Sequence, residues 1–119
     1  MAKVFGIHMI ELRSNVDAAD FERYVLKEYL PSVPTFAGWQ ARLLKGDRGE
    51  RVGQYLLVFE IDSIEARNRY FPMEGQMSEE AQVVFQALAS ASQAAVNRLN
   101  AFTIDENDVH TDYVEVTSD

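Results

Sequence analysis

Six polar side chains on predicted strands are the residues of this sequence that could do chemistry. They include both histidines of the chain and are His8, Arg42, Gln54, Glu60, His110 and Asp112. An imidazole beside a carboxylate in an apolar cavity suits proton abstraction, because desolvation and the neighbouring charge adjust the basicity of the ring. In the catalytic interpretation His8 is the general base, Asp112 orients it and Arg42 meets an anionic oxygen of the substrate. The other three residues are candidates for substrate binding.

Both histidines also have structural interpretations. His8 could be a hydrogen-bonded residue in a dimer cavity with no catalytic task. His110 lies near the start of an edge strand, after the acidic loop "DEND", where solvent exposure or a structural hydrogen bond would account for it. Antiparallel pairing of the first and last strands is expected to place His8 beside Asp112 or Val114.

No pattern in the sequence predicts a metal ion or a cofactor. The chain has no cysteine, and its two histidines show neither His-x-His nor HExxH spacing. The "DEND" segment lacks the spacing of a calcium loop. The "GDRGER" segment lies between two predicted strands rather than before a helix N-terminus, so a phosphate site is not predicted there. We expect no metal and no cofactor.

Composition and charge restrict the partners. The 119 residues predict a single domain, 1–119, and a formal charge of −8 at pH 7 with scattered Lys and Arg disfavours nucleic acid and anionic membranes. The sequence has no apolar stretch of membrane-spanning length and no cleavage pattern of a signal peptide, and the lack of cysteine fits a reducing compartment. We expect a cytoplasmic protein with a small-molecule partner.

Hydrophobic periodicity and capping residues predict four strands and three helices. The predicted strands are 4–13, "GWQARLLKG", "QYLLVFEI" and "VHTDYVEVT". The predicted helices cover about 18–30, 64–71 and 78–100. Asp17, Ser63 and Ser78 are suited to be their N-caps, and Pro31 and Pro34 are expected to close the first helix.

The order of these elements is β-α-β-β-α-β with a small extra helix before the last long one. This order predicts the α+β class and a ferredoxin-like fold. Right-handed crossovers place the first and third strands in the centre of a four-stranded antiparallel sheet and the second and fourth at its edges. The helices are expected to cover one face of the sheet.

The two faces of this predicted sheet are both rich in apolar residues. We expect the more apolar set to face the helices, namely Phe5, Ile7, Met9, Trp39, Ala41, Leu43, Tyr55, Leu57, Phe59, Val109 and Tyr113. The six polar candidates are expected on the opposite face with Ile10, Leu12, Leu44, Leu56, Val58, Val114 and Val116. A soluble monomer rarely exposes such a face. The pattern therefore predicts a homodimer paired sheet against sheet.

The aromatic residues and the short helix have two interpretations each. Spacing favours core packing for most aromatics, with a substrate-binding wall as the alternative, in the set Phe21, Tyr24, Tyr29, Trp39, Tyr55, Phe59, Phe71 and Tyr113. Arg67, Arg69 and Tyr70, followed by the loop 72–77, could form the rim or lid of a pocket. A solvated helix and loop is the alternative.

Strand order, chain length, the proline-interrupted end of the first helix, the "GW" start of the second strand and the last strand "HTDYVEV" resemble the dimeric α/β-barrel superfamily. The resemblance is to its antibiotic-biosynthesis-monooxygenase-like and stress-responsive members, and it implies two ferredoxin-like protomers that pair their sheets around a cavity. The superfamily includes cofactor-free monooxygenases, haem-degrading and chlorite-dismutase-like proteins and lactone isomerases. Its haem-binding members take the iron ligand from a helix histidine, whereas both histidines here fall on strands, so haem is not implied.

The expected function is binding of a small, partly apolar organic ligand by a homodimer, in a cavity between sheet and helices or between the two sheets. One hypothesis is a cofactor-independent monooxygenase or isomerase. The other is a non-catalytic ligand-binding or stress-related structural module. A cavity of a few hundred cubic ångströms with His8 in its lining favours ligand chemistry, and a filled interior favours the structural module.

Overall fold

The fold is a four-stranded antiparallel sheet with helices on one of its faces. The structure is a computed structural model that describes residues 2–33, 36–104 and 109–116. The strands are β1 (Val4–Ile10), β2 (Trp39–Lys45), β3 (Tyr55–Ile61) and β4 (Val109–Val114). The helices are α1 (Ala18–Tyr24), α2 (Leu30–Ser32), α3 (Ile64–Tyr70), α4 (Glu79–Ala87) and α5 (Ala89–Phe102), and a π-helical turn (Val25–Tyr29) joins α1 to α2. The strand order β2-β3-β1-β4 confirms the predicted topology, with β1 and β3 in the centre.

Side-chain caps start three of the helices where the sequence predicts. Asp17 accepts hydrogen bonds from the backbone N–H groups of residues 19 and 20 at the start of α1. The hydroxyl oxygens of Ser63 and Ser78 accept from the third residue of α3 and of α4, over 3.0 and 3.1 Å. These bonds satisfy N–H groups that a helix start otherwise leaves without a partner.

The first helix continues further than predicted. It passes through the π-helical turn and ends at Ser32, so Pro31 lies inside its last turn rather than after its end. The wider π-helical turn immediately before Pro31 relieves the clash that a proline ring makes with the carbonyl group one turn back in an α-helix. Pro34 and the "DEND" segment at 105–108 lie outside the described residues.

Two further boundaries differ from the prediction. The long helix predicted over 78–100 is divided at Leu88, whose φ and ψ are −111° and 9°, and the division lets α4 pack against α3 while α5 packs against the π-helical turn. Strand β1 ends at Ile10 rather than at residue 13, because the next residues bond to the end of α5. Glu11 accepts from the N–H of Ile104, and the N–H of Arg13 donates to Phe102.

The faces of β1 and β4 are inverted relative to the prediction. Ile10 packs with Phe21 and Val25 of the first helix, so residues 4, 6, 8 and 10 face the helices. Directly paired residues of antiparallel strands share a face, and His8 pairs with His110 while Gly6 pairs with Asp112. The helix-facing side therefore includes Gly6, His8, Ile10, His110, Asp112 and Val114, whereas Phe5, Ile7, Met9 and Tyr113 lie on the other side, the open face.

The apolar character predicted for the open face is present, although partly in other residues. Both alternating sets of β1 side chains are apolar, so exchanging them leaves a face that is still largely apolar. Its apolar side chains are Phe5, Ile7, Met9, Leu44, Leu56, Val58 and Tyr113. Within the described residues, no helix combines the length and apolar character needed to cross a membrane.

Candidate functional site

A cavity of about 930 Å³ lies between the helix-facing side of the sheet and the helices. The sheet contributes Gly6, His8 and the start of β2 and end of β3, and Thr111 with its neighbours contributes from β4. The end of the first helix, α3 and the loop after it, and parts of α4 and α5 complete the walls. The cavity is therefore in the first of the two places that the sequence left open.

Aromatic rings form the apolar wall of this cavity. Phe36 lies 4.3 Å from Tyr70 and 5.2 Å from Trp39 between ring centroids, and Trp39 lies 5.6 Å from Phe71. Rings at these separations attract one another and hold a rigid surface. The predicted core packing is correct for Phe21, which is fully buried, while Trp39 and Phe71 line the cavity.

The indole nitrogen of Trp39 is a buried donor without an acceptor. Among the described residues, Nε1 is the buried side-chain nitrogen or oxygen that has no hydrogen-bond partner. A buried donor left unpaired costs about 1–3 kcal/mol.

A polar cluster lies at the β4 side of the cavity. Nε2 of His110 is 3.0 Å from Oδ1 of Asp112, and Nη1 of Arg67 donates to the other oxygen, Oδ2, over 3.0 Å. The ring of His8 faces the ring of His110, with centroids 4.3 Å apart and planes tilted by 44°. We call these four residues, His8, Arg67, His110 and Asp112, the histidine cluster. It places two imidazoles next to a carboxylate whose charge a guanidinium balances.

Gly6 makes room for this cluster. It pairs with Asp112 across the strands, and a Cβ atom at Gly6 would lie 3.1 Å from Oδ1 of Asp112 and 3.2 Å from Cε1 of His110. Both distances are shorter than ordinary carbon contacts. A residue without a side chain in β1 therefore allows the His110–Asp112 pair to lie over the sheet.

The structure divides the predicted site residues between two faces. His8, His110 and Asp112 meet in the cavity, although His8 lies opposite His110 rather than opposite Asp112 or Val114. Arg42 is on the open face, where it donates to Glu60 over 3.3 Å, so the prediction that it shares a face with Asp112 is wrong. The physical reason is the inversion of β1 and β4 relative to β2.

Gln54 and Glu60 are also outside the cavity. The side chain of Gln54 accepts from Arg51 over 3.3 Å at the base of the hairpin between β2 and β3. Glu60 lies with Lys3, 3.5 Å away, beside β1 on the open face. These two residues therefore do not take part in the cavity where the histidines lie.

Arg67 belongs to the histidine cluster, whereas the sequence predicted for it only a possible place in the rim or lid of a pocket. It lies one turn after the cap residue Ser63 and three residues before Tyr70, which is 4% exposed, so Arg67 and Tyr70 share the inward side of α3. That spacing was the available signal. The loop at 72–75 lines the cavity as the rim interpretation expects, whereas Arg69 points away and pairs with Glu80 over 2.9 Å.

A second polar group lies outside the cavity, between α1 and the sheet. The hydroxyl of Tyr55 and Nζ of Lys45 both donate to Oε2 of Glu22. These hydrogen bonds, first that of Tyr55, hold the pKa of Glu22 below its ordinary value of 4.5. Burial, with the hydrogen bond to Glu22, raises the pKa of Tyr55. The arrangement joins α1 to β2 and β3, and none of its three residues lines the large cavity.

Within the described part of the chain, no group of three or more His, Cys, Asp or Glu side chains is placed to hold a metal ion. Within the histidine cluster the carboxylate is already engaged by Arg67. The chemistry available there is proton transfer and hydrogen bonding by imidazole.

A four-stranded antiparallel sheet in this order, with its helices on one face, defines the ferredoxin-like α+β fold. No protein-family model matches the chain, and no curated protein matches it in sequence. Solved structures do match its fold.

A point variant of SnoaB, a cofactor-independent oxygenase from Streptomyces nogalater, has a TM-score of 0.56 at 13% identity, over 98% of this chain and 95% of that one. An uncharacterized NIPSNAP domain protein from Burkholderia xenovorans has a TM-score of 0.57 at 12% identity, over 97% and 94%. A dimeric protein of unknown function with a ferredoxin-like fold, from Bacteroides fragilis, has a TM-score of 0.50 at 13% identity, over 93% and 94%. These likenesses confirm the predicted fold.

Proposed function

We propose that this chain binds a small, partly apolar organic molecule with an aromatic ring and an acidic hydroxyl group, and accepts the proton of that hydroxyl at the histidine cluster. The observation that carries the proposal is the composition of one cavity. Its aromatic wall offers stacking surface, and its other side offers imidazole as base and guanidinium as positive charge. Pockets that bind small molecules combine an apolar lining with a few convergent polar groups in this way.

The chemistry follows from the order of groups in the cluster. His8 and His110 are the candidate bases, Asp112 orients His110 by its 3.0 Å contact, and Arg67 rather than Arg42 supplies the positive charge. Loss of a proton from an enol or phenol leaves an electron-rich anion. In an isomerase the proton returns to a different atom of that anion.

In a cofactor-independent monooxygenase the anion is the reductant for dioxygen. One oxygen atom enters the product and the other leaves as water. The substrate supplies all four electrons for this reduction of dioxygen, two for each oxygen atom. The overall balance is SH₂ + O₂ → SO + H₂O, with no other electron donor. The fold similarity to SnoaB, a cofactor-independent oxygenase, supports this version of the proposal.

We also infer that two copies of the chain pair through their open faces. Leu44 and Tyr113 on this face are 48% and 54% exposed, and covering such residues favours association. A dimeric protein of the same fold supports the inference. A cytoplasmic location stays a prediction from the sequence.

The first experiment is native mass spectrometry of the freshly purified chain, followed by calorimetric titration with 1-naphthol as an aromatic, weakly acidic probe. We expect Arg67→Gln and Asp112→Asn to weaken naphthol binding about tenfold, because each removes a charge from the cluster. Arg69→Gln is the matched control, since Arg69 lies on the same helix but pairs with Glu80 away from the cavity.

Equal affinity of the wild type and both cluster variants would refute the proposed site. Oxygen uptake or isomerisation of a co-purified compound separates the catalytic hypothesis from the alternative. Tight binding of that compound with no turnover would identify a non-catalytic ligand-binding module.

A further inference from the structure

A second, smaller cavity of about 190 Å³ adjoins the large one. Three residues line both cavities, and they come from three elements: His8 of β1, Tyr29 at the end of the π-helical turn and Val96 of α5. His8 therefore lies at the junction between the two spaces. A molecule held against the histidine cluster would therefore also touch a residue that lines the small cavity.

The lining of the small cavity differs in kind from that of the large one. Its lining combines aliphatic residues, among them Ile10, Leu57, Leu99 and Ile104, with the uncharged polar residues Tyr29, Asn100 and Thr103 and with His8, and none of its lining residues is Asp, Glu, Lys or Arg. Ile10 and Leu57 are core residues, 8% and 3% exposed. The small cavity therefore lacks a charged group that would pair with an ionic substituent, and its aliphatic residues favour an apolar one.

The volume of the small cavity distinguishes between two apolar occupants, dioxygen and an alkyl chain. Dioxygen would occupy only a small part of 190 Å³ and would leave the apolar surface around it uncovered. An alkyl chain of about four to six carbons would fill the space at ordinary packing density. Because the two cavities share His8, such a chain and the polar group that meets the cluster can belong to one molecule.

We propose that the small cavity is a subsite for a short alkyl substituent of the ligand, so that the ligand has an acidic aromatic part in the large cavity and an aliphatic arm beyond His8. The arm sets the length of molecule that is accepted. This inference rests on the proposed function for the position of the aromatic part, and it adds the class of ligand: an alkyl-substituted phenol or enol.

The test is a calorimetric titration with phenol and its 4-ethyl, 4-butyl, 4-hexyl and 4-octyl derivatives. For the wild type we expect a roughly three- to fourfold gain in affinity for each added methylene. The affinity should stop rising between the butyl and the hexyl derivative, because a chain of that length fills the subsite. Leu99 is the residue to vary, because it lines the small cavity and does not line the large one.

Leu99→Phe, which fills the subsite, should abolish the gain from the chain while phenol itself binds within twofold of the wild type. Leu99→Ala enlarges the subsite, so the affinity should continue to rise until the chain is about two carbons longer than in the wild type. This variant tests the subsite even if Leu99→Phe fails to fold. Leu26→Phe and Leu26→Ala are matched controls, since Leu26 is 57% exposed and lines neither cavity.

The outcomes separate this inference from the proposed function. Phenol binding without any effect of chain length, or a length dependence that neither Leu99 variant alters, overturns the alkyl subsite and leaves the proposed function standing. A length dependence that responds to Leu99, together with an affinity for phenol that Arg67→Gln and Asp112→Asn leave unchanged, overturns the proposed function and leaves the subsite. Failure of every alkylphenol to bind overturns both.

Discussion

Gly6 matters at the residue scale because of the groups that a larger side chain would displace. In Gly6→Ala the new methyl group meets the carboxylate of Asp112 at 3.1 Å, so the carboxylate must move and its bonds to His110 and Arg67 lengthen. We expect 1-naphthol to bind about fivefold more weakly. The free energy of unfolding should change by less than about 1 kcal/mol, because alanine suits a strand interior better than glycine. Calorimetric titration and urea unfolding measure the two quantities, and unchanged affinity would contradict the role given to Gly6.

Glu22 gives a residue-scale prediction about pH. Its pKa is lowered in the folded chain, so its bonds to Tyr55 and Lys45 stabilise the fold above the ordinary value of 4.5, and this contribution is lost as the pH falls through the folded pKa. We expect Glu22→Gln to lower the free energy of unfolding by roughly 1 kcal/mol at pH 7, since the group is partly exposed. The difference from the wild type should shrink on acidification below 4.5.

Urea unfolding between pH 7 and pH 3 measures this difference. Glu50→Gln, at an exposed position in the hairpin loop, is the control and should change stability little at any of these pH values. A difference between the wild type and Glu22→Gln that stays constant over the range would contradict the prediction.

The π-helical turn is the feature of most interest at the scale of elements. An α-helical continuation from Tyr24 and Val25 would bring Glu28 to the inward side one turn later. With one extra residue in the turn, Glu28 instead lies outward, where it pairs with Arg98 over 2.7 Å, and Tyr29 and Leu30 lie inward. The turn therefore decides that an aromatic ring rather than a carboxylate faces the cavity.

Deletion of Lys27 tests this account of the turn. Removing one residue converts the turn to an α-helical one and leaves both flanks on their present faces, but it also restores the clash of Pro31 with the carbonyl group one turn back. We therefore expect the fold to form with a free energy of unfolding lower by up to about 3 kcal/mol. Circular dichroism and urea unfolding measure the result. Deletion of Phe21 from α1 is the contrasting variant, because it rotates a regular helix and should prevent folding. A loss as large for Lys27 as for Phe21 would refute the account.

The sequence was informative about elements where the signals are local. Ser63, Ser78 and Asp17 marked helix starts correctly because an N-cap depends on only a few residues around it. The π-helical turn was not predictable from periodicity, since Glu28 and Tyr29 both fit the α-helical spacing. The inward face of β1 was not predictable for a different reason: Phe5, Ile7 and Met9 are the better core residues by composition, and nothing local indicates that Gly6 and His8 line an open cavity.

The candidate site was predictable in part for the same reason. Alternation along β4 correctly grouped His110 with Asp112, and the predicted pairing of β1 with β4 brought His8 near them. Whether Arg42 belongs to the site depends on which faces of β1 and β2 lie on the same side of the sheet, and this depends on the register across β3. Arg67 lies 45 residues from Asp112 in the chain, and the contact between them forms only through tertiary packing.

At the scale of the whole molecule, the open face leads to a prediction about association. Leu44 and Leu56 are paired neighbours on this face, and glutamate at both positions in each of two copies would place like charges in the dimer interface. We expect the wild type to be a dimer at micromolar concentration and the Leu44→Glu, Leu56→Glu double variant to be a monomer that keeps its circular dichroism spectrum. Light scattering after gel filtration measures both masses.

Leu26→Glu is the control for added negative charge, because Leu26 is exposed on the helical side of the molecule. It should remain a dimer. A wild-type monomer at micromolar concentration, or a double variant that still dimerises, would refute pairing through the open face.

The position of Trp39 gives the molecule a built-in optical signal. It is the single tryptophan of the chain, and its ring stands in the wall of the large cavity with an unpaired N–H group. Indole emission responds to the polarity and hydrogen bonding around the ring, so excitation of this one residue should distinguish filled from empty molecules without a dye or a label. Collections of unlabelled compounds can therefore be screened through the emission wavelength of this one tryptophan.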